Sequence, residues 1–159
     1  MLDEYEFYQG AVLRQLVVGS LSSITITPFV REGRISAFIL NGRIGVHIKH
    51  SSKRMSPWRF SFTIEQAADL LDLEARFPTS FAVFVCETDG LVTLGLGELH
   101  DIVSFQETEH AWVRIDRPPR SQYGISGNKA ELRRKVPRGI DIILNTYLES
   151  VRILNARQA

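Results

Sequence analysis

Apolar and polar positions recur with two different periods along the 159 residues, and the change from one to the other predicts the elements. Residues 4–18 set Tyr8, Ala11, Val12 and Leu16 at helical spacing, with Asp3, Glu4 and Glu6 near the start, where acids complement the helix dipole. Gly19 and Ser20 stop that helix. Residues 24–30 alternate every second position, through Ile24, Thr25, Ile26 and Thr27, as a half-buried strand does. Residues 38–49, Phe-Ile-Leu-Asn-Gly-Arg-Ile-Gly-Val-His-Ile-Lys, place two apolar runs around Asn41-Gly42. Both central positions of a type I′ turn take positive φ, which Gly and Asn tolerate, so a hairpin is predicted. A two-residue turn pairs Leu40 with Arg43, Phe38 with Gly45, Ser36 with His47 and Arg34 with Lys49 on one face. Ile35, Ala37, Ile39, Ile44, Val46 and Ile48 cover the other.

Beyond the hairpin, 50–59 is a polar, basic loop and Phe60-Ser61-Phe62 a short extended piece. Thr63-x-x-Gln66 is a capping box for a helix over 64–77, with Ile64, Ala67, Ala68, Leu71 and Ala75 as its apolar stripe and Pro78 as its stop. The continuous apolar run 81–86 reads as a strand buried on both faces, and Thr88-Asp89-Gly90 turns it into a strand over 91–96. A short helix over 98–103 and a strand over 112–115 follow. Residues 117–138 read as a basic loop, and 140–154 as a closing helix with Ile140, Ile143, Leu144, Tyr147, Val151 and Leu154 on one stripe. A structureless loop of that length is uncommon in a compact domain, so it either carries function or hides further elements. The prediction is an α/β fold: a single domain over 1–159, three layers, a mixed β-sheet flanked by helices, with a core over 4–103 and a strand-loop-helix extension over 104–159.

Composition narrows the class. An apolar content of 44% suits one domain with a proper core. No run of about 18 apolar residues is present, and the acidic start lacks a secretory layout, so the expectation is no membrane span and a cytoplasmic location. Cys86, the one cysteine, reads as a core thiol. The four histidines form no spaced metal motif, and no glycine-rich phosphate loop follows a strand.

Charge is segregated although the net value is only +1. Arg43, Lys49, Lys53, Arg54 and Arg59 fall in 43–59 without an acid; 112–138 holds eight basic residues against Asp116 and Glu131; 64–109 holds ten acids against Arg76 alone. This suits a basic face for a polyanion and an acidic back. Ordinary surface charge, or pairing of the basic loop with the acidic helix or another subunit, accounts for it too.

Lys49 ending the hairpin, with a polar residue two positions earlier and another on the facing strand, resembles the core of the PD-(D/E)XK nuclease superfamily. The predicted order over 4–96, a helix, three strands, a second helix and further strands, is similar as well. Ser36 stands where that family has an Asp, and His47 where it has Glu or Gln. The resemblance implies a restriction-endonuclease-like core (α-β-β-β-α-β) with Lys49, His47, Ser36, Glu32 and Glu6 as the catalytic-site positions. If active, the chain would be a divalent-metal-dependent phosphodiesterase using Mg²⁺ or Mn²⁺. With the site degenerate, the reading is nucleic-acid binding to DNA or RNA with cleavage lost. Cations and hydroxyls that neutralise phosphates point to Lys53, Arg54, Ser51, Ser52 and Arg59. Trp58 either stacks on a base or packs beside Phe60 and Phe62, and Arg133, Arg134 and Lys135 could clamp the same ligand, with Tyr123 anchoring their loop. The alternatives are an interaction or homodimerisation module on the same fold, and a divergent active nuclease using Glu32 or Glu6.

Overall fold

Asp3 opens the first helix through a reciprocal cap: its carboxylate accepts the Glu6 amide at 3.0 Å, and the Glu6 carboxylate accepts the Asp3 amide at 2.8 Å. The computed structural model describes residues 1–106 and 110–158. Its elements are α1 (Glu4–Gly19), β1 (Ile26–Arg31), β2 (Arg34–Leu40), β3 (Ile44–Ser51), β4 (Trp58–Ser61), α2 (Ile64–Arg76), β5 (Ser80–Cys86), β6 (Gly90–Gly95), α3 (Leu96–Ile102), β7 (Trp112–Asp116), β8 (Gly124–Gly127) and α4 (Asp141–Gln158). Two acids of the acidic stretch, Glu107 and Glu109, lie outside the described residues. No helix among the described residues is long and apolar enough to cross a membrane.

The class is mixed α/β, but the strands divide between two sheets instead of one. The larger has the order β1-β2-β3-β5-β6, with β3 and β5 parallel and the other neighbours antiparallel. β4, β7 and β8 form a second, antiparallel sheet. It exists because Trp58, Phe60, Val113 and Ile115 point inward on alternate positions and need a layer to cover, which Ala82, Phe84, Val92 and Leu94 supply. Each large apolar side chain buried there contributes about 1.5–3 kcal/mol. On the opposite face of the larger sheet, Val12 and Leu16 of α1 and Ile143 and Tyr147 of α4 pack over Val46, Val83 and Val85. β5 is buried along its whole length. Cys86 is buried too, which pushes its thiol up to about 12.

Three expectations need correction. The hairpin slips by one residue: Asn41 and Gly42 have φ of 50° and 66°, yet the ladder pairs Leu40 with Ile44, Ile39 with Gly45 and Phe38 with Val46. Asn41 is held from outside the hairpin, its amide donating to the Thr25 carbonyl and its side chain accepting the Thr25 amide, each at 2.8 Å. Arg43 is thereby left as a third loop residue. Ala37 and Ile39 then pack with Leu73 of α2, while Phe38 and Leu40 turn toward α1 and α4, so Ser36 and His47 do not share a face.

Helix α2 buries Asp69, Leu70 and Leu73, whereas Ile64 and Leu71 of the predicted stripe stay exposed. Arg31 and Arg34 hold Asp69 to the sheet edge, which turns that face inward. Residues 117–138 are not structureless either. They contain β8 and the bridges Tyr123 to Val136 and Ser126 to Glu131.

Candidate anion site where two strands part

Past the Phe38–Val46 pair, β2 and β3 make no further ladder pairs among the described residues, and a concavity of about 620 Å³ opens there. The first turns of α1 contribute Glu6 and Gln9, β2 contributes Arg34 and Ser36, β3 contributes His47, Lys49 and His50, and α2 contributes Gln66 and Asp69. Ser36, His47, Lys49 and Glu6 are thus brought together as expected positions. Glu32 is not: it sits in the β1–β2 turn at φ 52° and points its carboxylate to Arg34 at 3.4 Å.

Lys49 lies over the Phe62 ring, 4.7 Å from its centroid, and donates to Gln66 Oε1 at 2.9 Å. Burial disfavours its charged form and pushes the ammonium down to about 8. His47 is almost fully buried, and desolvation first, then the nearby Lys49 charge, push it down to about 4. Its Nδ1 lies 2.9 Å from the Ser36 carbonyl, which fixes the proton on that nitrogen, and Nε2 has no partner among the described residues. The Ser36 hydroxyl donates to the Phe29 carbonyl at 3.3 Å.

Hydrolysis assisted by Mg²⁺ or Mn²⁺ needs carboxylates free to ligate. Here they are spent. Asp3 and Glu6 cap α1. Asp69 accepts from Arg31 at 2.9 Å and from Arg34 at 2.9 Å, the latter bond raising the Arg34 pKa. Among the described residues no group of three or more His, Cys, Asp or Glu is arranged to hold a metal ion. The residues present do not fit the group that the nuclease resemblance implies.

The predicted binding residues separate into three sets. Ser51, Ser52, Lys53 and Arg54 continue β3 into the loop, where Lys53 Nζ donates to the Pro57 carbonyl at 3.0 Å. Trp58 is not a stacking residue: it is 2% exposed, and its indole donates to the Lys53 carbonyl at 2.7 Å, so the ring belongs to the core. Arg134 is tied to Glu98 of α3 by two bonds of 2.7 Å, while Arg133 and Lys135 are exposed. Arg117 likewise binds Asp89, which also accepts from the Tyr123 hydroxyl. The basic loop therefore pairs with Asp89 and Glu98, not with the acidic helix α2.

The sequence reading missed Gln66 as anything beyond a cap and missed Arg31 and Asp69 altogether. Their one signal was spacing: residues 66, 69, 70 and 73 share a helical face, so an Asp in register with two leucines marks a carboxylate bound for the interior. No family model, curated protein or solved structure matches the chain.

Proposed function

We propose that the chain binds nucleic acid through the end of β3 and the loop that follows, on a layout similar to PD-(D/E)XK nucleases whose metal site is lost. Supporting that likeness are the order of a helix, three antiparallel strands and, past β4 of the second sheet, a second helix and a strand parallel to the third, and the position of Lys49 where β2 and β3 part.

One observation carries the binding reading. Among the described residues, Lys49, Lys53 and Arg59 make no ion pair with an acid, Lys49 meeting an amide, Lys53 a carbonyl and Arg59 the Trp112 ring, while Arg54 lies near enough to Glu87 for its charge to help lower that carboxylate's pKa. Arg114, Arg117 and Arg134 are instead neutralised by Asp116, Asp89 and Glu98. Cations left with neutral partners keep their charge for phosphate.

A mobility-shift titration against duplex DNA and RNA over a range of salt tests this. Affinity should fall steeply with salt, and Lys53→Ala and Arg54→Ala should each reduce the salt slope by about one. Absence of any shift at low salt and micromolar protein overturns the reading, and Mg²⁺-dependent nicking that disappears in Lys49→Ala restores the enzyme. The oligomerisation alternative draws on the outward apolar side chains Phe7, Val18 and Leu21 of α1 and its exit; a stable dimer in sedimentation, lost in Phe7→Ser, would favour it.

A further inference from the structure

The outward face of the second sheet collects one aromatic ring and several cations. Alternation along β4 turns Trp58 and Phe60 into the core and leaves Arg59 and Ser61 outside. Along β7, Val113 and Ile115 go in, and Trp112, Arg114 and Asp116 face out. Antiparallel register sets Arg59 opposite Arg114, Ser61 opposite Trp112, and Arg114 opposite Ser126 of β8. The Arg59 guanidinium lies 5.7 Å from the centroid of the Trp112 ring. A Cβ on Gly124, whose neighbour Ile125 is buried, would stand 2.8 Å from Lys135 Nζ, so that ammonium lies across the outward side of β8. Asp116 neutralises Arg114 at 2.7 Å, and Glu131, bridged to Ser126, adds a second acid near this face, so the cations without an acidic partner here among the described residues are Arg59 and Lys135.

We propose that this face binds a single-stranded nucleic acid, one base stacking on Trp112 while flanking phosphates meet Arg59 and Lys135. The inference rests on the nucleic-acid reading above and adds to it the form of the ligand. Surplus positive charge selects a polyanion, and the ring beside it selects one that carries unpaired bases over an acidic peptide. In a duplex both faces of an interior base are already stacked, which leaves a ring on a flat sheet nothing to engage. The contacts proposed are to a base and to phosphates, so DNA and RNA strands should bind alike.

The two tryptophans make the test direct, because Trp58 is sealed in the core and reports folding while Trp112 reports the ligand. Titrating the full chain with oligo(dT) or oligo(U) at low salt should quench part of the emission saturably. Trp112→Phe should abolish that quench and leave the Trp58 emission unchanged. Trp112→Ala should weaken binding measured by anisotropy about tenfold, the scale of one lost base stack. Arg59→Ala, which keeps the ring, should weaken binding with the quench amplitude retained at saturation. Quenching that survives in Trp112→Phe overturns the proposal, as does equal quenching by polyglutamate. A duplex shift without any oligo(dT) quench overturns it alone, whereas failure of both assays also removes the broader reading.

Discussion

Nζ of Lys49 lies 2.9 Å from Oε1 of Gln66, and the same oxygen accepts the Thr63 amide at 3.1 Å. One amide group thereby ties the end of β3 to the start of α2. Because the acceptor is neutral, it orients the lysine without cancelling its charge, and no carboxylate among the described residues offsets the cost of burying that charge.

Removing this charge should stabilise the fold at neutral pH. The folded pKa is lowered to about 8 from 10.5. Below about 8 both folded and unfolded chains hold the proton and the folded state bears the full desolvation cost. Between about 8 and 10.5 the unfolded chain still holds it and the folded chain does not, so this group makes stability rise with pH. Lys49→Met should therefore gain about 1–2 kcal/mol at pH 7 after the lost hydrogen bond is counted, and the gain should shrink across that window. Urea unfolding of both proteins at several pH values checks it; a pH-independent difference would assign the effect to packing.

His47 acts in the acid range. Its pKa is lowered to about 4 from 6.5, so its stabilising neutral state is fully present above 6.5. As pH falls toward 4, the unfolded chain takes up a proton that the folded one refuses, and stability is lost. His47→Asn retains a donor for the Ser36 carbonyl but does not titrate. Its unfolding free energy should decline less steeply than that of the parent between pH 7 and about 4, even where it is the less stable protein. Identical slopes would place the acid sensitivity on other groups.

What the sequence revealed was what neighbours along the chain decide. The cap at Thr63 and Gln66, the buried run ending in Cys86 and the stripe Ile143, Leu144 and Tyr147 follow from local spacing and appear as read. The errors arise where distant segments decide. Thr25 holds Asn41 and shifts the hairpin register, and Asp69 is drawn inward by arginines more than thirty positions earlier. Trp58 packs in one core with Phe60 and Phe62, one of the two readings the sequence allowed, whereas the outward place of Trp112 was hidden, since inside and outside on β4 and β7 are fixed by pairing between strands about fifty residues apart. In the candidate site, Lys49 was legible from its place after an Asn-Gly hairpin. The commitment that removes Asp69 from metal binding was not, because it joins β1, β2 and α2 in space.

Asp69 offers a test in which stability and binding move in opposite directions. Its carboxylate is almost wholly buried, while Arg31 and Arg34, which hold it, are 29% and 40% exposed. In Asp69→Asn the amide presents donors to guanidinium donors, but both arginines can regain water on their open sides. The expected loss is about 2 kcal/mol, below the 3–5 kcal/mol typical when a fully buried pair is broken. The same substitution removes a negative charge from the concavity and releases Arg34 beside Lys49. Nucleic-acid affinity at low salt should therefore rise, with a steeper salt slope. Calorimetric melting and a mobility-shift series on the one variant read both effects. A variant that melts earlier and also binds more weakly would show that the concavity contributes shape to binding and that its charge does not.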